Sequence, residues 1–110
     1  MDTLAQWRTS VIDTLTALTQ IPYAYGDLTT ELLVDSAHDR YMVVTVGWDG
    51  PQRVHHCLVH IDLVVGKMWI QRDATEHGIS TDLAAGMPAD HIVLGFQPLE
   101  LRPYTNFAAA

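Results

Sequence analysis

The sequence is poor in cysteine and in basic residues. A single cysteine, Cys57, among 110 residues excludes an internal disulfide, so the fold has to be held by its core. The chain carries 6 lysine and arginine residues against 13 aspartate and glutamate residues, a formal net charge of −7. Because an acidic surface repels phosphate backbones, this balance predicts only weak, non-specific binding to DNA at physiological salt.

Long apolar runs are also missing. No stretch approaches the roughly 20 apolar residues that cross a bilayer, and the first residues, Met-Asp-Thr, lack the basic start of a secretory signal. We therefore expect a soluble, cytoplasmic protein without membrane contact, in which the cysteine stays reduced. With 48% hydrophobic residues, the chain can form one core, and we expect a single domain over residues 1–110.

The stretch from Arg40 to Asp73 predicts three antiparallel strands. Residues 41–48 and the run that begins at Arg53 are rich in β-branched and aromatic side chains. Asp49-Gly50 predicts a turn between these two strands, and Gly66 predicts the next reversal. A third apolar run then leads into polar residues at Asp73.

Residues of the middle strand alternate between apolar and polar. The odd positions Cys57, Val59, Ile61 and Leu63 are apolar, whereas the even positions include His56, His60 and Asp62. Because side chains alternate across a strand, this pattern predicts a core face and a polar face. We expect Cys57, Val59 and Ile61 to be buried.

The second hairpin has two possible connections. A two-residue loop, Val65-Gly66, would place Met68 and Ile70 on the apolar face, and Trp69, Gln71 and Asp73 with the histidines. A type I turn with a glycine bulge would reverse that assignment. The unfavourable positive φ of a valine favours the bulge, but the hydrophobic pattern favours the two-residue loop.

The N-terminal residues predict an amphipathic helix over residues 3–19. Apolar side chains recur at a spacing of three and four: Leu4, Trp7, Val11, Leu15 and Leu18. Pro22 is predicted to end this helix, and Val11 and Leu15 are expected in the core. Residues 29–36 predict a strand that pairs with residues 41–48 as a hairpin.

The last third predicts a short helix around Ile79 and Leu83, capped by Asp73 or Thr75 and stopped by Gly86 and Pro88. Residues 91–96 fit a buried strand or a turn. The tail from Gln97 is predicted to be extended and docked through Leu99, Leu101, Tyr104 and Phe107. These elements define an α+β fold: an N-terminal helix on an antiparallel meander of about four strands, a second short helix and an extended C-terminal segment.

One group of side chains suggests chemistry. On one strand face, His60 and Asp62 would lie roughly 6.5 to 7 Å apart, and His56 about 13 Å from His60, too far to share one metal ion. A small metal-dependent or hydrolytic enzyme would need to combine His60 and Asp62 with Asp73 and Glu76. We assign no catalytic residue, metal ligand or cofactor, and interpret His56, His60 and Asp62 as a polar strand face.

Several strings resemble the XisI family, the fdxN element excision controlling factors. They are Val46-Gly-Trp-Asp-Gly, His56-Cys-Leu-Val-His-Ile-Asp, Lys67-Met-Trp-Ile-Gln-Arg-Asp, His91-Ile-Val-Leu-Gly-Phe and Arg102-Pro-Tyr-Thr-Asn-Phe. The resemblance covers most of the chain. It implies a small accessory protein of cyanobacterial type, associated with a second controlling factor, XisH, and with a separate recombinase that excises a DNA element.

We accordingly predict a non-catalytic controlling factor that binds a XisH-type partner and, through it, a recombinase. The predicted contact residues combine aromatic, arginine and acidic groups at strand ends and a turn: Trp48, Asp49, Trp69, Arg72, Asp73 and Glu76. Each tryptophan fits a core position equally well. A homodimer is also predicted, because a meander leaves an exposed strand edge.

Overall fold

The computed structural model describes residues 3–21, 26–75, 78–84 and 86–109. Its elements are α1 (Thr3–Thr19), β1 (Asp27–Asp35), β2 (Arg40–Asp49), β3 (Gln52–Val64), β4 (Lys67–Asp73), α2 (Ile79–Ala84), a 3₁₀ turn (Ala89–His91), β5 (Ile92–Leu94) and a C-terminal 3₁₀ helix (Leu99–Tyr104). The predicted α+β class is confirmed. None of the described helices is long and apolar enough to cross a membrane.

The strands form one sheet in the order β1-β2-β3-β4-β5. The first four are a meander of antiparallel neighbours, as predicted, and the β1–β2 hairpin pairs Asp27 with Trp48 and Asp35 with Arg40. The predicted strand count is one short, because β5 joins β4 in parallel. A parallel neighbour needs a crossover connection, and the segment that contains α2 supplies it.

The core lies between α1 and one face of the sheet. Trp7, Val11 and Leu15 of the helix pack against the fully buried Val43, Val59 and Ile61. The predicted burial of Val11, Leu15, Val59 and Ile61 is therefore confirmed. The helix ends at Thr19; Pro22, predicted to end it, lies outside the described residues.

The connection from β3 to β4 is the two-residue loop. Val64 pairs with Lys67, and Val65 and Gly66 both have positive φ, 46° and 75°, as a type I′ turn requires. Met68 and Ile70 are fully buried, as the hydrophobic pattern predicts. Val65 occupies an unfavourable conformation, and its side chain is 97% exposed.

A bulge in β3 overturns two predictions about faces. The register changes from Val44↔Cys57 to Val43↔Val59, so Leu58 is an extra residue and alternation is interrupted. Cys57 therefore faces away from α1 and is only partly buried, so its predicted core position is wrong. His56 pairs with the buried Thr45 and shares the helix side, not the face of His60 and Asp62.

The physical cause of this bulge is a conflict between two fixed registers. Gly50, at φ 59°, allows a tight turn that pairs Asp49 with Gln52. The core fixes Val43 opposite Val59. These two pairings differ by one residue, and Leu58 absorbs the difference.

A second bulge, at Gln71 in β4, corrects the predicted face of Asp73. His60 pairs with Arg72, whereas Ile61 pairs with Ile70. Asp73 therefore lies opposite Val59 on the helix side, not beside Asp62. Trp69 is opposite Asp62, as the two-residue loop predicts.

The C-terminal segment is held in place, but it is neither extended nor buried as predicted, because Leu99–Tyr104 forms a 3₁₀ helix. Ala108 forms a parallel bridge with Val93, and Phe107 packs against the core. By contrast, Leu99, Leu101 and Tyr104 are exposed, so the prediction that they dock the tail is wrong for these three.

Candidate functional site

We call the sheet face that points away from α1 the outer face. Its most buried polar group is the carboxylate of Asp62, which is 8% exposed. Oδ1 accepts hydrogen bonds from Arg40 Nε and His60 Nε2, each at 3.0 Å, and Oδ2 accepts from Gln71 Nε2 at 3.4 Å. A buried carboxylate needs such partners, so this cluster is satisfied internally.

One ring nitrogen of His60 does not face Asp62. Because an ionised carboxylate only accepts, the His60 nitrogen that faces Asp62 carries a proton. The other nitrogen, Nδ1, can form a hydrogen bond with a ligand or partner, since the His60 side chain is 27% exposed. The cluster can orient a polar contact.

Cys57 comes onto the same face because of the β3 bulge. Its Sγ donates a hydrogen bond to the Val59 carbonyl at 3.2 Å, and Arg72 Nε donates to the Cys57 carbonyl at 2.7 Å. Burial raises the pKa of the Cys57 thiol above its ordinary value, although Arg72 opposes the effect. Since the thiolate is the nucleophile, this cysteine is not activated.

Asp73 holds the start of α2. Its carboxylate accepts hydrogen bonds from the Thr75 amide at 3.0 Å, from the Thr75 hydroxyl, and from the Ile79 amide at 2.6 Å. The prediction that Asp73 or Thr75 caps this helix is confirmed for Asp73. The proposed enzyme group is thus not assembled, because Asp73 lies on the opposite face from His60; Glu76 lies outside the described residues.

Metal ligands do not converge within the described ranges. Among residues 3–21, 26–75, 78–84 and 86–109, no three histidine, cysteine, aspartate or glutamate side chains come close enough to hold an ion.

Both predicted tryptophans lie on the outer face, each beneath an arginine. Trp48 is 49% exposed, and the Arg53 guanidinium is 5.2 Å from its ring centroid. Trp69 is partly buried, with the Arg102 guanidinium at 5.2 Å. A Cβ on Gly95 would come within 3.1 Å of the Trp69 ring, so this glycine lets the chain approach the indole closely.

The six predicted partner contacts are not one compact group. Trp48 pairs with Arg53, and Arg72 pairs with His60. Six strand steps separate those rows, or about 20 Å. Trp48 therefore lies at one end of the outer face, and Trp69 and Arg72 lie far along it. Asp49, next to Trp48 in β2, points to the opposite face, and Asp73 is on the helix side.

An exposed apolar group in the C-terminal segment was missed by the sequence reasoning. Phe96, Leu99, Leu101 and Tyr104 are exposed, Leu99 at 62% and Tyr104 at 87%; we call these four the C-terminal apolar surface. Pro98 and Pro103 are the sequence signal for this exposure. Prolines disfavour a regular strand, in which alternate apolar residues would all face inward. Pro103 lies inside the 3₁₀ helix.

This surface sits on a firmly held segment. Arg102 stacks on Trp69 and donates from Nε to the Gln97 carbonyl at 3.1 Å. Thr105 Oγ1 donates to the Arg102 carbonyl at 2.8 Å. A rigid surface loses little entropy when it binds a partner.

Comparison with models of known protein families identifies the family of this chain. A family model described as XisI protein matches residues 1–109. This chain belongs to the XisI family. The resemblance seen in the sequence strings is thereby confirmed. The comparison with curated proteins finds no match.

Solved structures of XisI proteins share the fold. The crystal structure of a XisI-like protein from Anabaena variabilis ATCC 29413, at 1.30 Å resolution, is 30% identical with a TM-score of 0.88, covering 98% of this chain and 100% of that chain. The crystal structure of fdxN element excision controlling factor XisI from the same organism, at 2.19 Å resolution, is 31% identical with a TM-score of 0.82, covering 99% of this chain and 100% of that one.

Proposed function

We propose that this XisI family member is an excision controlling factor that acts as a single domain, binds a XisH-type controlling factor and does not catalyse strand exchange. The observation that carries the proposal is the likeness over the whole chain, at 31% identity, to a structure named as an fdxN element excision controlling factor. Through this partner it would direct a recombinase to the DNA element.

The charge of the chain supports the need for a partner. Excision requires contact with DNA, and the net charge is −7. The arginines are also engaged within the fold: Arg8 with Asp39, Arg40 with Asp62, Arg53 with Trp48, Arg72 with the Cys57 carbonyl, and Arg102 with Trp69. Of these contacts, only those of Arg8 and Arg40 are with carboxylates, but 6 basic residues against 13 acidic ones can displace few counterions from a phosphate backbone.

The chemistry of the outer face also favours a non-catalytic role. Strand exchange needs an activated nucleophile, and the raised pKa of Cys57 keeps its thiol protonated at neutral pH. The alternative, a metal-dependent or hydrolytic enzyme, requires Asp73 beside His60 and Asp62. Asp73 instead caps α2 from the other side of the sheet.

We place the contact with the partner at the C-terminal apolar surface and the adjacent Trp69. Tyrosine, tryptophan and arginine are enriched among energetically dominant interface residues, and Tyr104, Trp69 and Arg102 are brought together here with exposed leucines. Of the six residues predicted from sequence, this proposal retains Trp69. Asp73 is left out because its carboxylate is already occupied.

Co-expression with a XisH-type protein, followed by co-purification, tests this function. We expect Leu99→Asp and Tyr104→Asp to weaken the complex at least tenfold, because each puts polar groups into an apolar contact. Val65→Asp is the matched control, since Val65 is 97% exposed on a turn outside this surface. Failure of the wild-type proteins to co-purify would contradict the adaptor mechanism, and undiminished binding by both variants would contradict the surface.

Direct DNA binding is expected to be weak. In a fluorescence anisotropy titration at about 150 mM salt, the isolated protein should bind no tighter than the roughly 10⁻⁴ to 10⁻⁶ M range of non-specific association. Nanomolar, sequence-specific binding would contradict the proposed dependence on a partner.

A further inference from the structure

The outer face has an apolar centre that is left partly open. Met42, Val44 and Val46 point outward from β2, the second strand in the sheet order, and all three are only partly buried. The apolar residues of α1 and α2 pack on the other face. Leu33, opposite Met42 on β1, is half exposed. An apolar centre that is partly open, with a half-exposed leucine at its edge, can serve as an interaction surface.

Charges of opposite sign flank this apolar centre in matching rows. Asp27 on β1 is opposite Trp48, which is opposite Arg53 on β3. Glu31 on β1 is opposite Val44, which is opposite Cys57. The carbonyl of Cys57 accepts the hydrogen bond of Arg72 Nε at 2.7 Å, so a guanidinium lies in that row too. Asp27 and Glu31 thus each have a cation at the same level beyond β2. In the third row the cation is on β2 itself, because Asp35 is opposite Arg40, which pairs with Asp62.

We propose that two copies of this chain stack their outer faces about a two-fold axis parallel to β2. This rotation leaves each row of residues at the same height along β2 and places β1 of one copy over β3 of the other. Asp27 then meets Arg53 of the second copy, and Glu31 meets Arg72 of the second copy. Val44 lies on Val44, and the sheets stack about 10 Å apart. The face is self-complementary in these two rows, as a two-fold interface must be, and in the third row Arg40 of each copy lies between Asp35 and Asp62.

The charges on β1 argue against dimerisation through the strand edge. An antiparallel pairing of β1 with its copy, centred on Glu31, would put Glu31 opposite Glu31 and Asp27 opposite Asp35. Like charges directly opposite each other destabilise a sheet. We therefore infer that the predicted homodimer forms through the outer face and not through the open edge of β1.

Sedimentation equilibrium of the full chain tests the dimer over about 1 to 100 μM, the range of a micromolar association. We expect the wild type to dimerise and Val44→Lys to remain monomeric, because it places a charge at the apolar centre. Val65→Lys is the control and should dimerise as the wild type does, since Val65 lies on the β3–β4 turn. A monomeric wild type, or a dimeric Val44→Lys, overturns the proposal.

Exchanging the charges of a proposed ion pair between the two copies tests the geometry of the dimer. Glu31→Arg and Arg72→Glu should each raise the dissociation constant about tenfold, since each changes two symmetry-related contacts. Combined in one chain, they should restore it, because the pairs re-form with their signs reversed. A role in folding alone would not give this rescue. If Arg72→Glu does not fold, Asp27→Arg with Arg53→Asp makes the same test, and absence of rescue overturns the arrangement.

The dimer does not depend on the proposed excision role. Sedimentation uses the isolated protein, and partner binding is measured separately on the C-terminal apolar surface. A monomeric protein would leave the proposal of partner binding unaffected. Failure to bind the partner would likewise leave the dimer proposal unaffected.

Discussion

Removal of the Asp73 carboxylate should destabilise the fold locally at α2. Three donors converge on it: the Thr75 amide, the Thr75 hydroxyl and the Ile79 amide. Hydrogen bonds to a charged group contribute about 1.5 to 3 kcal/mol each, and loss of an N-terminal cap costs about 0.5 to 2 kcal/mol. Because Asp73 is partly exposed and water replaces some bonds, we expect Asp73→Ala to lower the free energy of unfolding by about 2 to 3 kcal/mol.

Urea denaturation followed by circular dichroism measures this change, and the midpoint of thermal unfolding should fall by about 10 °C. Asp73→Asn keeps one acceptor oxygen and should lose about half as much stability. Asp13→Asn removes the same charge from an exposed helix position and should stay within about 0.5 kcal/mol of wild type. If Asp73→Ala also stays within about 0.5 kcal/mol, the capping argument is refuted.

Three further outcomes are expected. Ile61→Ala, at a fully buried position, should cost about 2 to 5 kcal/mol in urea denaturation, while Val65→Ala at the exposed turn should be near neutral; equal effects would contradict the core assignment. The bidentate Arg8 pairing lowers the pKa of Asp39 below 3.8, so the stabilisation from this pair is full above that value and is lost as pH falls through the lowered pKa. Arg8→Gln should therefore reduce the loss of unfolding free energy between about pH 6 and 3. An unchanged loss would contradict this. The raised pKa of Cys57 should make its thiol react more slowly with iodoacetamide at pH 8 than in urea-unfolded protein, and equal rates would contradict its burial.

Local patterns in the sequence predicted most of the elements. The spacing of Val11 and Leu15 identifies α1, and the glycines of the two turns identify the hairpins. The loop at Val65 followed from the need to bury Met68 and Ile70 on one face. These features depend on neighbours along the chain, which a sequence displays directly.

The faces of β3 and β4 were harder to predict, because each bulge depends on two registers fixed far apart. Cys57-Leu58-Val59 is apolar throughout, so nothing in hydropathy alone shows where alternation shifts. A polar pair, Gln71-Arg72, conceals the second shift in the same way. Both bulges decide which side chains share the outer face, so the predicted faces of His56, Cys57 and Asp73 were wrong.

Non-local contacts account for the rest of the candidate site. The stacking of Arg102 on Trp69 joins residues 33 positions apart in the chain, and no local pattern indicates it. The parallel pairing of β5 with β4 likewise follows a crossover.

The bulge at Leu58 has a consequence for insertions and deletions. Its neighbours already satisfy the pairings Val44↔Cys57 and Val43↔Val59, so a chain without this one residue would keep both registers and every outward side chain. We therefore expect the sheet to survive deletion of Leu58 in the middle of a strand, where single-residue gaps usually destroy a sheet. The cost is the packing of the Leu58 side chain against the core and the hydrogen bond that its carbonyl accepts from the Ala74 amide at 2.9 Å. Gaps in alignments of such chains should accordingly fall inside β3 as well as in the loops.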